Sequence, residues 1–223
     1  MKPWVELGRA RVAGTSELVL RRRDDTYVIR VDGQELMSSR LYGSEKKLAE
    51  LGCAGLTGPG VRVLIGGLGM GYTLRAALDT VGPAAEVVIA EISPAVVEWN
   101  KTHLGHLAGQ PLQDPRVTLF VGDVGGAIRE APGGFDAILL DVDNSAEALC
   151  LPSNDSLYTP HGLAASRRAL RPNGRYGVWC SERTPSFERR LRAAGFEVKV
   201  HDVRARDAKG GLMHAIYLGY RGA

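Results

Sequence analysis

The chain has little of what would mark a disulfide-stapled, membrane-spanning or nucleic-acid-coating protein. It has three cysteines in 223 residues, Cys53, Cys150 and Cys180, far apart and odd in number. That spacing suggests neither a disulfide framework nor a zinc site, so buried free thiols in a reducing cytoplasm are expected. No run longer than 12 residues lacks Asp, Glu, Lys and Arg, well short of the ~18 apolar residues of a bilayer span. Glu6 and Arg9 interrupt the stretch where a secretory leader would need its apolar core. Net charge is only +3 and aromatics only 6%, so neither a phosphate-binding field nor a stacking platform stands out. A P-loop is excluded because no G-x-x-x-x-G-K-[ST] occurs. Composition therefore points to a soluble cytoplasmic protein with neither membrane nor nucleic acid as partner.

Glycine is what the chain has in excess. Its 28 glycines are about 13% of the residues, against a background near 7%. The length suggests one domain with a small appendage. Residues 1–52 read as that appendage: Glu17–Arg22 and Thr26–Val31 form a β-hairpin or meander, followed by a helix over Ser44–Leu51 that Gly52 ends. From residue 53 to 223 short apolar runs alternate with helical segments. Strands are predicted at Val61–Ile65, Val87–Ala90, Val117–Val121, Ala137–Leu140 and Tyr176–Trp179. Ser93-Pro94, Thr159-Pro160 and Thr184-Pro185 each place a capping hydroxyl before a proline at the first helical position. Gly195 should stop the helix that buries Phe187 and Leu191.

Such alternation predicts an α/β fold with a mostly parallel sheet covered by helices on both faces. The last two runs, Phe196–Val203 and Leu212–Tyr220, are separated by only eight residues. That is too short for a parallel crossover, so the final strand should run antiparallel. This ending resembles the Rossmann-like class I methyltransferase fold, a seven-stranded sheet, more than a nicotinamide-binding domain.

Four glycines gather in Gly66-Gly67-Leu68-Gly69-Met70-Gly71, between the strand Val61–Ile65 and a helix over Tyr72–Leu78. A turn of this kind lets backbone approach a ligand closely. The motif alone is weak, but the next three strands end in Glu91, in Gly122-Asp123 and in Asp141-Val142-Asp143. They deliver carboxylates to the C-terminal edge of the sheet, where open α/β folds bind ligands. Carboxylates there would repel a pyrophosphate and suit a sulfonium or an adenine amino group. His103 and His106 share a helical face without further ligands, and no metal is expected.

These stretches (VLIGGLGMG at 63–71, VIAEIS at 88–93, DPRVTLFVGD at 114–123, FDAILLD at 135–141 and LYT at 157–159) resemble the spermidine synthase family of aminopropyltransferases, built on the methyltransferase fold. The resemblance covers about residues 61–200. It implies a sulfonium-nucleoside site made by Gly67, Leu68, Gly69, Met70 and Gly71 with Glu91, Ile92, Asp123, Val124 and Asp141. Within it the glycines approach the sulfonium, Glu91 binds ribose, Asp123 meets adenine, and Asp141 serves the attacking amine. Three departures stand out. The loop aspartate that in this family holds the amino group of decarboxylated S-adenosylmethionine is Met70 here. The second aspartate of the strand-end motif gives way to Asn144, leaving Asp143. The acidic and tyrosine acceptor pattern after the hairpin is missing, since Met37–Glu45 reads MSSRLYGSE. These departures argue against putrescine as acceptor.

The resulting expectation is a transferase using S-adenosylmethionine, or its decarboxylated form, on a small amine acceptor. Methyl transfer is placed ahead of aminopropyl or aminocarboxypropyl transfer. A non-catalytic nucleoside-binding module and a nicotinamide dehydrogenase are the rival classes. Asp141 is the expected amine-orienting or proton-accepting group. Asp143 either makes a second acceptor contact or caps the loop. Tyr158 either lines the acceptor pocket or packs beneath a lid formed by residues 144–157. A homodimer is expected.

Overall fold

The computed structural model describes residues 2–12, 16–142, 155–206 and 212–223. Four strands near its N-terminus build an antiparallel sheet in sequential order: β1 (Val5–Val12), β2 (Ser16–Arg23), β3 (Thr26–Val31) and β4 (Gln34–Ser38). The expected hairpin is β2–β3, and the meander reading holds once β1 and β4 are added. Asp32 and Gly33 both take positive φ, 47° and 83°, as a two-residue turn whose twist matches its strands requires. Leu18 and Leu20 on β2, and Tyr27 and Ile29 on β3, join the core of the larger sheet, while Val19 and Val28 on the opposite face are also buried.

Helix α1 (Gly43–Cys53) links the two sheets. It runs through Gly52 instead of stopping there. A side chain at 52 would meet Leu139 Cδ2 at 2.3 Å, so the glycine permits close packing of helix on sheet and is no stop signal. The boundary expected at residues 52–53 falls at the last turn of this helix.

The rest alternates as expected: β5 (Arg62–Gly66), α2 (Tyr72–Thr80), β6 (Glu86–Glu91), α3 (Pro94–Trp99), β7 (Val117–Val121), α4 (Val124–Arg129), β8 (Phe135–Leu140), α5 (Asp155–Tyr158), α6 (Pro160–Ala169), β9 (Leu170–Cys180), α7 (Pro185–Ala193), β10 (Glu197–Arg204) and β11 (Met213–Tyr220). The seven strands lie in the order β10-β11-β9-β8-β5-β6-β7. The pairs among β7, β6, β5, β8 and β9 are parallel, and β11 is antiparallel to both of its neighbours. The reversed last strand is therefore where the short connection placed it.

Ser93 and Thr159 cap α3 and α6 by accepting from the amides of Val96 and Gly162. Thr184 does not follow them. Its side chain makes no cap bond, and its amide instead donates to the Tyr217 hydroxyl on β11. Gly195, at φ 87°, ends α7. Apolar residues fill both faces of the large sheet, and on one face the small sheet's residues join the same core. Cys53 and Cys180 are buried, while Cys150 and Asp143 lie outside the described residues.

Candidate active site

The carboxyl ends of β5, β6, β7 and β8 open into one cavity. Gly67, Gly69, Glu91, Ile92, Ser93, Asp123, Val124 and Asp141 form its floor and walls. Leu18, Ile29, Val31, Leu36 and Met37 from the small sheet roof it, and Glu45 of α1 and Trp179 of β9 complete the lining. Among the described residues that line it are four carboxylates and no lysine, arginine or histidine.

Gly67 explains how the floor is assembled. It sits at φ 89°, where a side chain would stand 2.3 Å from the carbonyl oxygen of Asp141. The Asp141 amide donates to Gly66 O at 2.9 Å. Only a glycine lets the β5–α2 turn approach the end of β8 this closely. Gly69, at φ 50°, leaves the space that Met37 of the roof occupies, with Cε 2.7 Å from where a side chain would begin.

Each carboxylate is held differently. Glu91 is buried and accepts from the amides of Leu68 and Ser93, both at 2.8 Å, one on each oxygen. Burial raises its pKa, against the lowering effect of those amides. The amides of Gly69 and Ile92 also lower its pKa, so the carboxylate sits in a ring of backbone donors at the end of β6. Asp123 is exposed and caps α4, accepting from Gly125 at 2.9 Å and Gly126 at 3.2 Å. Asp141 accepts from Thr73 Oγ1 at 2.6 Å. Desolvation lifts its pKa to about 6, and the threonine bond opposes that rise. Glu45 is pushed further, to about 7, first by burial and then by the negative charge of Asp141. Ser44 Oγ lies 2.6 Å from Glu45 Oε2 and 2.9 Å from His214 Nδ1 on β11.

The structure thus brings together Gly67, Gly69, Glu91, Ile92, Asp123, Val124 and Asp141. Four other expected residues lie elsewhere. Leu68 and Met70 are buried in the core, since the positive-φ glycines on either side turn them inward. Leu68 touches the site only through its amide. Gly71 starts α2, with Pro111, Ala108 and Asn100 nearest to where its side chain would be. Tyr158 is buried in the second core with its ring edge-on to Phe187, so it takes the packing role and not the pocket-lining one. Most of the expected lid lies outside the described residues, and its end, Ser156 and Leu157, belongs to α5.

Sequence reasoning missed Glu45, Ser44, Thr73, His214, Trp179 and the apolar roof. The stretch Met37–Glu45, read as lacking an acceptor acid, in fact places Glu45 in the cavity. Its only local signal was an acid in the first turn of a helix, which ordinarily serves the helix dipole.

A sheet with this strand order and a single reversed strand, carrying a glycine turn and an acidic cavity at its carboxyl edge, defines an α/β protein of the class I methyltransferase fold. Residues 48–189 match the spermine/spermidine synthase domain, and the chain belongs to that family. It is 30% identical over 203 residues to a polyamine aminopropyltransferase of Mycobacterium tuberculosis, covering 86% of this chain and 37% of that protein. It is 36% identical over 115 residues to putrescine N-methyltransferase 1 of Nicotiana tabacum, covering 51% of this chain and 28% of the relative. The chain thus spans between little more than a quarter and little more than a third of the length of these two curated relatives. In fold it is similar to the spermidine synthase of Thermotoga maritima, with a TM-score of 0.76 at 19% identity, covering 97% of this chain and 73% of that one.

Proposed function

We propose that the chain transfers an aminopropyl group from decarboxylated S-adenosylmethionine to a small amine. One observation carries this reading: the described cavity lining holds four carboxylates and no basic side chain. A cationic sulfonium and a cationic ammonium are both attracted there, whereas a dinucleotide's pyrophosphate is repelled. Glu91 would accept from the ribose hydroxyls, Asp123 with Ile92 and Val124 would border the base, and Gly67 with Gly69 would leave room for the donor. Asp141 and Glu45, close to neutrality in pKa, would orient the amine and take its proton. Asp143 is proposed as a further acceptor contact. As the amine nitrogen bonds to the donor carbon, the carbon–sulfur bond breaks and the sulfur leaves as a neutral thioether. Positioning and proton removal are therefore the protein's main tasks.

Methyl transfer from S-adenosylmethionine is the second reading, favoured by the similarity to a putrescine N-methyltransferase. The missing loop aspartate, with Met70 in its place, also favours it. Aminopropyl transfer comes first because the similarity to a polyamine aminopropyltransferase extends over 86% of the chain, against 51% for the methyltransferase. With Glu45 in the cavity, putrescine returns as a reasonable acceptor probe. The test offers putrescine with equal amounts of both donors and identifies the product by mass. Aminopropylated putrescine is expected. A product carrying only methyl groups would place the second reading first, and binding of NAD with neither sulfonium bound would overturn both.

A further inference from the structure

We infer that Ser44 and His214 form a proton exit from Glu45, carrying the acceptor's proton from the cavity to the far side of β11. The start of α1 is held against the end of β10, the Gly43 amide donating to Ala205 O at 2.9 Å. A side chain at 43 would stand 3.2 Å from the carbonyl oxygens of Arg204 and Ala205. This close approach brings Ser44, fully buried, between Glu45 of its own helix and His214 of β11.

A serine hydroxyl has one proton, so Ser44 can donate to only one of these two neighbours. The three groups therefore have two self-consistent arrangements. With Glu45 ionised, Ser44 donates to the carboxylate and His214 donates from Nδ1–H to Ser44. With Glu45 protonated, the acid donates to Ser44, and Ser44 donates to a bare Nδ1. Passing from the second to the first moves one proton from Glu45 to His214 without any heavy atom travelling. His214 is partly exposed and edge-on to Trp179. Desolvation lowers its pKa, so an imidazolium formed there readily sheds its Nε2 proton.

The chemistry balances. An ammonium acceptor loses one proton to become the attacking amine, a carbon–nitrogen bond replaces the carbon–sulfur bond, and one proton leaves through His214 per turnover. Other titratable groups near Glu45 are Asp141 on β8 and Tyr72 on α2, the latter stacked on Tyr42. Ser44 and His214 act through Glu45 and not on the substrate. Their part in turnover rests on the amine transfer proposed above, but the proton path itself does not.

Two experiments test it. The first follows the ring nitrogens of His214 by NMR in protein labelled with nitrogen-15 histidine. Raising the pH through about 7, where Glu45 ionises, should switch Nδ1 from bare to protonated, and Ser44→Ala should abolish the switch. An Nδ1 state that stays constant through that titration overturns the path. The second uses decarboxylated S-adenosylmethionine and putrescine with His214→Gln. Glutamine can keep a hydrogen bond to Ser44 but cannot relay a proton. The expected result is a kcat about 10–100-fold lower at neutral pH, at the modest end of proton-transfer effects, with KM little changed. Wild-type kcat and pH profile in His214→Gln would show a merely structural contact. If the wild-type protein transfers nothing to putrescine, the functional reading falls, while the NMR switch still decides the path.

Discussion

Asp141 shows how much one residue of this site depends on its neighbours. Its backbone is clamped between Gly66 and Gly67, while its carboxylate rests on the Thr73 hydroxyl at 2.6 Å. Asp141→Asn keeps the shape but cannot accept a proton. It should lower kcat by at least ~100-fold while leaving nucleoside affinity within a few-fold, measured by initial rates and calorimetry. It also removes the negative charge that helps raise the Glu45 pKa, so carbon-13 NMR should find Glu45 titrating at lower pH. Thr73→Val is the subtler change. The hydroxyl lowers the Asp141 pKa, so its loss should move the acidic limb of the kcat profile to higher pH. An unmoved limb would mean that Asp141 does not set it. Asp141 was legible in the sequence because it follows an apolar run, as Glu91 and Asp123 end or follow theirs. Glu45 was not, because its role comes from a helix meeting a sheet edge roughly a hundred residues further along the chain.

At the scale of elements, the strand–helix alternation and the reversed last strand were legible because they follow from run lengths and connection lengths. What was not legible depended on close approach between elements. Gly52 looked like a helix stop, yet α1 continues through it because Leu139 of β8 fills the space a side chain would need. Leu170–Cys180 reads Pro-Asn-Gly near its start, but the strand absorbs it with Asn173 at φ 63° and a register shift against β8. Gly52→Ala should therefore cost stability, although alanine is the better helix former by about 0.5–1 kcal/mol. Overpacking against Leu139 should outweigh that gain, giving a net loss of about 1–2 kcal/mol in urea unfolding. The same substitution in a Leu139→Ala background should be neutral or stabilising. Additive effects of the two changes would show that the contact between them is not what makes the glycine necessary.

Over the whole molecule, the small sheet and the large one close on a single cavity, so its acids are desolvated by elements that lie far apart along the chain. The roof of Leu18, Ile29, Val31, Leu36 and Met37 was invisible to sequence reasoning because apolar strand residues read alike whether they cover a core or a ligand site. This enclosure has a thermodynamic signature. Glu45 and Asp141 have pKa values raised to about 7 and about 6. Below about pH 3 both are protonated in the folded and unfolded chains alike. As pH rises, the unfolded chain ionises first, so this pair holds more protons in the folded state and its contribution to stability falls until pH passes about 7. The loss attributable to the pair should be several kcal/mol, because each pH unit of displacement is worth about 1.4 kcal/mol and both groups are displaced upward. His214, with a lowered pKa, works the other way below about pH 6.5, so the informative quantity is a difference. Urea unfolding of the wild-type and a Glu45→Gln/Asp141→Asn double variant, at fixed ionic strength, should give curves that diverge steadily between pH 4.5 and about 7, the variant losing less stability. Saturating ammonium ligand should narrow that gap from the wild-type side alone, since a bound cation stabilises the ionised pair. Curves that run parallel would mean that the enclosed carboxyls titrate as ordinary surface acids, and the case for proton transfer at this site would fall with them.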